Sequence, residues 1–280
     1  MKINFLLLLL LFFGRENRTN FIYTSDGIKM YYEKQGSGDL ALILVHGWSA
    51  NSIAWVEQMD YFKKDYQVIV PDLPGFGKSG TERKDWTMEQ YGDDIATLAN
   101  KLKLDQIVLV GWSMGGPVVL EVAKKLRTKI KVIILVDILQ QLTNPFDSVA
   151  ITDYNLTYAA NFNNYQYILN YYKGDHVLTK RYLSLMPPGN KMPGHWKKSW
   201  LNLHQWMDRK VKEGVKAIQA PIRAINADET ETNTAEWKQF ARDFEVTVFE
   251  NSNHFLVWQY PEKFNNNICD IIKKSNHEKR

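Results

Sequence analysis

Gly111-Trp112-Ser113-Met114-Gly115 holds a serine between glycines in the spacing G-x-S-x-G. The run Ile107-Val108-Leu109-Val110 precedes it, and the helix-like stretch from Pro117 to Lys125 follows. A strand, a tight turn with serine at its apex and a helix make a nucleophile elbow, which leaves Oγ exposed at the end of the strand. Glycines suit such a turn because adjacent backbone must pass where a Cβ would otherwise sit. The chemistry served is attack on a carbonyl carbon, and the oxyanion that forms needs two backbone N–H donors. Met114, directly after the serine, supplies one of them.

The second donor must come from another loop. Leu42-Ile43-Leu44-Val45 reads as a strand that runs into His46-Gly47-Trp48, which has the form of an oxyanion loop. Trp48 N–H is the candidate donor, and His46 is read as a structural residue that pins the loop by hydrogen bonding. Val68-Ile69-Val70 forms a further strand, which stops in the proline- and glycine-dense turn from Pro71 to Ser79.

With H-G-x, D-x-P-G-x-G-x-S and G-x-S-x-G in this order, the chain from about residue 20 to its end resembles the α/β-hydrolase fold family. The resemblance implies an α/β fold, with a mostly parallel central sheet, helices on both faces and an inserted helical cap. Carried over residue by residue, Ser113 matches the family nucleophile, and the N–H groups of Trp48 and Met114 match its oxyanion hole. The turn from Asp72 to Ser79 matches a structural element with no chemistry of its own.

A serine hydroxyl becomes a useful nucleophile when a base takes its proton and an acid orients that base. Among His46, His176, His195, His204, His254 and His277, the base is expected at His254. It lies in a polar loop after the strand-like Glu245–Phe249, where this fold supplies its histidine. The acid is expected at Asp228, after the strand Pro221–Ile225, which gives the family order Ser113, Asp228, His254. Asp137, at the end of the strand Val132–Val136, is the rival, because some family members place the acid one strand earlier. Glu229 is read as a solvated neighbour.

The 280 residues, 45% hydrophobic, suffice for one large α/β core with an inserted lid. A net charge of +4 with scattered basic residues makes no case for nucleic acid. No metal-ligand spacing and no phosphate-cradling loop occurs, so neither a metal nor a cofactor is expected. A single cysteine, Cys269, excludes an intramolecular disulfide. Phe21–Thr24 and Ile28–Tyr32 read as a hairpin about Asp26-Gly27, and Thr87 with Gln90 caps a helix running to about Lys103.

Alternation of strands and helices fails between residues 138 and 214, a stretch dense in tyrosine and tryptophan with Pro-Gly breakers. The expected organisation is a hydrolase core of residues 20–137 and 215–280, with a helical cap of residues 138–214. Most of its aromatic residues pack the cap, and a few should line an apolar pocket above Ser113, with Trp196, Trp200 and Trp206 as candidates. The reading is a monomeric or homodimeric carboxylesterase-like serine hydrolase. Its substrate is a small or medium hydrophobic ester, cleaved through an acyl-enzyme. Hydrolysis of a C–C, lactone or amide bond on the same residues, or a ligand receptor on a hydrolase fold, stays open.

Residues 1–19 place the apolar run Phe5–Phe13 between a lysine-bearing start and the polar Gly14–Arg18. That run is too short to span a bilayer and has the length of a secretory signal core, so a secreted or periplasmic location is expected, with an uncleaved anchor as the alternative. Expression in a host able to process it is expected to give protein outside the cytoplasm, with a mature N-terminus near residues 14–20 by mass spectrometry. Intact Met1 protein recovered quantitatively from the cytosol would refute this.

Overall fold

A computed structural model describes residues 20–143, 148–189 and 191–277; the proposed export segment lies outside these. Eight strands form one sheet: β1 (Phe21–Tyr23), β2 (Lys29–Gln35), β3 (Leu40–Val45), β4 (Gln67–Pro71), β5 (Gln106–Trp112), β6 (Ile130–Val136), β7 (Ile222–Ala227) and β8 (Phe244–Phe249). Their spatial order is β1-β2-β4-β3-β5-β6-β7-β8. β1 and β2 form the antiparallel hairpin expected about Asp26-Gly27, and β2 pairs antiparallel with β4. From β4 to β8 every pairing is parallel.

A parallel strand covered on both faces reads as a continuous apolar run, and β5 obeys this: Ile107, Val108, Leu109 and Val110 are all fully buried. Each such side chain contributes about 1.5–3 kcal/mol by leaving water. The helices Met88–Lys101 and Gly115–Leu126 pack together in one covering group, while Val56–Phe62 and Pro261–His277 pack together in another. Thr87 caps the first of these, its side chain accepting the Gln90 N–H at 3.1 Å.

Every chain crossover in the parallel part brings strand C-termini to one edge of the sheet, so the loops after β3, β5, β6, β7 and β8 gather there. The chain between β6 and β7 is helical: Ser148–Asn161, Tyr165–Tyr171, His176–Leu183, Gly194–Arg209 and Val211–Lys216. No described helix is long and apolar enough to cross a membrane.

Candidate active site

β5 ends in the elbow that the glycine spacing predicts. Ser113 has φ of +53°, a left-handed backbone that a non-glycine residue keeps only when its surroundings hold it there. Its N–H donates to Val136 O at 3.0 Å, and its own carbonyl accepts Gly116 N–H at 2.8 Å. A Cβ on Gly111 would lie 2.3 Å from Gly115 O, and one on Gly115 would lie 2.4 Å from Val45 O. Both glycines are therefore required by the close passage of backbone at the elbow.

The loop after β3 closes over the serine: a Cβ on Gly47 would stand 3.1 Å from Ser113 Cβ and 3.7 Å from its Oγ. His46 holds that loop. Its Nε2 accepts Leu73 N–H at 3.0 Å, which leaves Nδ1–H to donate to Gly47 O at 2.7 Å. Complete burial presses its pKa below the ordinary value, so the ring stays neutral in this tautomer. Asp72 organises the neighbouring turn, accepting Ser52 N–H at 2.6 Å and Lys78 N–H at 2.7 Å. Trp48 turns its indole away, donating from Nε1 to Trp196 O at 2.9 Å and to Ser199 Oγ at 3.1 Å. Among the described residues, neither Trp48 nor Met114 donates its backbone N–H to a partner within the protein.

His254 is placed by β8 as expected, but its acidic partner is Asp137 and not Asp228. His254 Nδ1 lies 2.7 Å from Asp137 Oδ2. The other carboxylate oxygen of Asp137 accepts Ala227 N–H at 2.9 Å and Gln140 Nε2–H at 3.0 Å. Burial pushes the Asp137 carboxyl up, and the His254 hydrogen bond and charge with these further donors outweigh it, leaving the group below the ordinary carboxylate value.

Asp228 is exposed and accepts the N–H groups of Asn251 at 2.8 Å and Ser252 at 3.2 Å. These bonds hold its carboxyl below the ordinary value and fasten the turn ahead of His254 without touching the ring. The reason is sheet geometry. Asp137 leaves the end of β6, the direct neighbour of β5, with φ of +46°, while Asp228 follows β7, one strand farther from Ser113.

Ser113 and His254 line one cavity of about 80 Å³ together with Gly47 and Trp48. Among the described residues the His254 ring bonds Asp137, and no direct hydrogen bond joins it to Ser113 Oγ. Aromatic side chains from the segment between β6 and β7, including Tyr158, Tyr172, Tyr182 and Trp200, line it. Of the three candidate tryptophans only Trp200 lines this cavity. Trp196 is buried, donating to Gly75 O at 3.0 Å, and Trp206 donates to Glu121 Oε1 at 2.8 Å. His195 bonds Gly75 O at 2.7 Å, His176 bonds the Tyr165 hydroxyl, and half-buried His204 packs edge-on against Trp200. No group of residues able to hold a metal ion occurs among the described residues.

A sequence profile of the alpha/beta hydrolase fold matches residues 41–261. The chain belongs to the alpha/beta hydrolase fold family. It is 39% identical over 89 residues to a pimeloyl-[acyl-carrier protein] methyl ester esterase of Legionella pneumophila, a match covering 32% of this chain and 34% of that protein. It is 34% identical over 98 residues to a bifunctional esterase/perhydrolase of Acinetobacter calcoaceticus, covering 34% of this chain and 36% of the relative. These matches span about a third of each curated relative's length. An esterase from Exiguobacterium antarcticum shares the fold with a TM-score of 0.77 at 20% identity, over 91% of this chain and 99% of that one.

Within this alpha/beta hydrolase, sequence reasoning gives Trp112 no task. Its Nε1–H donates to His254 O at 2.9 Å, and its ring packs against Phe255 and Trp258. The residue beside the elbow serine thus ties down the histidine loop, and a bulky aromatic inside G-x-S-x-G is the signal that points to it. Trp112→Phe removes the donor and part of a buried indole, so stability should fall by at least about 1 kcal/mol. Scanning calorimetry is expected to show a midpoint lower by at least roughly 2–4 °C, and an unchanged midpoint would mean that neither the His254 bond nor the indole packing contributes to stability.

Proposed function

We propose that this alpha/beta hydrolase is a serine hydrolase of small or medium hydrophobic carboxylic esters, working through an acyl-enzyme with Ser113, His254 and Asp137. The observation that carries the reading is the 2.7 Å contact of Asp137 with His254 Nδ1, which leaves Nε2 for the cavity shared with Ser113. In this reading Ser113 Oγ attacks the ester carbonyl while His254 Nε2 takes its proton. Asp137 holds the productive tautomer and balances the imidazolium that forms. Backbone N–H groups of Trp48 and Met114 receive the oxyanion, worth about 3 kcal/mol for each donor. His254 returns the proton to the departing alcohol, and a water activated by the same ring releases the acid. Esterase names among the partial relatives agree with this chemistry. The aromatic walls favour an apolar substrate body. We also propose export, on the strength of the run from Phe5 to Phe13.

Ser113→Ala is expected to abolish fluorophosphonate labelling and to lower p-nitrophenyl ester turnover at least about a thousandfold. Normal labelling of that variant would move the nucleophile elsewhere. Asp137→Asn should lower kcat by about 10⁴, as loss of the orienting carboxylate does in comparable triads, while Asp228→Asn should cost less than about tenfold. The opposite ranking in a parallel assay would return the acid to β7.

Trp200→Ala is expected to shift kcat/KM along an acetate-to-octanoate series, by up to about 0.8 kcal/mol per methylene brought into or out of contact. Acetate should respond least, and equal losses on every ester would mean that Trp200 only supports the fold.

A further inference from the structure

The cavity wall carries three hydroxyls that ester cleavage leaves unused. Ser49 directly follows Trp48 and is buried in a left-handed conformation with φ of +62°. Its Oγ lies 2.8 Å from the Tyr182 hydroxyl, and Tyr182 in turn hydrogen-bonds the Tyr158 hydroxyl. Tyr158 comes from the helix Ser148–Asn161 and Tyr182 from His176–Leu183, so three separate segments converge on one row of oxygens. All three residues line the cavity that holds Ser113 and His254. Burial raises both phenols, Tyr158 to about 12 and Tyr182 well above its ordinary value, so both stay protonated at neutral pH.

A count of protons says what this row offers. Two hydrogen bonds join three hydroxyls, and a hydroxyl both donates and accepts. If the row runs from Ser49 toward Tyr158, the Ser49 oxygen presents lone pairs; if it runs the other way, Ser49 presents its proton. Beyond Tyr158 the row meets Met186 Sδ at 3.9 Å, a weak acceptor. Because either atom can donate in the Ser49–Tyr182 bond, the Ser49 end offers a lone pair in one sense of the row and a proton in the other. Adjacent Cα atoms are about 3.8 Å apart, so this hydroxyl stands a short distance from the Trp48 N–H that would receive the oxyanion. The rest of the wall is largely aromatic and aliphatic, and among the described residues no lysine, arginine, aspartate or glutamate lines it to balance a charged substituent.

We propose that the Ser49–Tyr182–Tyr158 row selects esters bearing a neutral polar oxygen, a hydroxyl or a carbonyl, about two or three carbons from the scissile carbonyl, over plain hydrocarbon esters. This rests on the ester-hydrolase reading and refines its substrate class. A polar oxygen in the substrate continues the row, whereas a hydrocarbon chain of the same size leaves its end unpaired against a largely apolar wall. Sites built to bond a substrate hydroxyl discriminate strongly against the analogue that lacks it.

The test compares matched pairs: p-nitrophenyl 3-hydroxybutyrate against butyrate for the acyl side, and 2-hydroxyethyl against propyl acetate for the alcohol side. Full-length protein is expected to favour the oxygenated member of at least one pair by about tenfold or more in kcat/KM. Tyr182→Phe and Ser49→Ala should each bring that ratio near one, through loss on the oxygenated ester. Fluorophosphonate labelling of Ser113 in every variant reports separately on the nucleophile and on folding. A wild-type ratio near one in both pairs, or a preference that survives in both labelled variants, overturns the inference while leaving the ester reading in place. Absence of labelling and of turnover in the wild type overturns both.

Discussion

A serine in left-handed backbone at the end of a buried parallel strand is costly, and the surrounding chain must over-determine it. Such conformations cost of order 1–3 kcal/mol each and persist only under that condition. Here the holding is done by backbone. Ser113 N–H is taken by Val136 at the end of β6, and the Ser113 carbonyl by Gly116 at the start of the following helix. The Val45 carbonyl at the end of β3 passes where a side chain on Gly115 would be. The elbow thus depends on both strands that flank β5, and the sheet order is a precondition for an exposed Oγ.

The same edge of the sheet supplies the other groups, each held by a different physical means. His46 is neutral, buried and bonded through both ring nitrogens, so a histidine beside the serine serves as a rigid strut between two loops. Asp72 is saturated with backbone donors and shapes the next turn. Asp137 differs from Asp72 because one of its oxygens meets a titratable ring. Asp228, with two backbone N–H groups on an exposed carboxylate, belongs with Asp72 as a turn former. One histidine and three aspartates at this edge of the sheet are separated by what their polar atoms touch.

The helical stretch between β6 and β7 is fastened to the core by indole and phenol groups that serve two purposes. Trp48 Nε1 reaches the helix Gly194–Arg209, and Trp196 of that helix returns a bond to Gly75. Ser49 and Tyr182 make a second tie. Arg181 adds an ion pair to Glu57 at 3.0 Å. Because Trp48 and Ser49 belong to the loop that faces the serine, these ties fix the loop's shape and the cavity wall in one set of contacts. Packing of the aromatic residues and shaping of the pocket are therefore one problem for this chain.

What the sequence determined is what local physics controls. The elbow, the hairpin at Asp26-Gly27, the Thr87 cap and the apolar runs of the parallel strands are written in residues within a turn or two of one another, and each formed where its pattern lies. His254 was legible because it follows the last strand in a polar loop. Which aspartate meets its ring was not, since both Asp137 and Asp228 end apolar strands and the chain has no local mark for which strand lies beside β5. That choice was made by the pairing of β6 with β5 and by the left-handed turn at Asp137, which brings its carboxylate to the histidine across more than a hundred residues. Tertiary structure likewise decided which of three tryptophans reaches the cavity, because a helix exposes one face to it and the sequence gives their spacing without the rotation of that helix against the sheet.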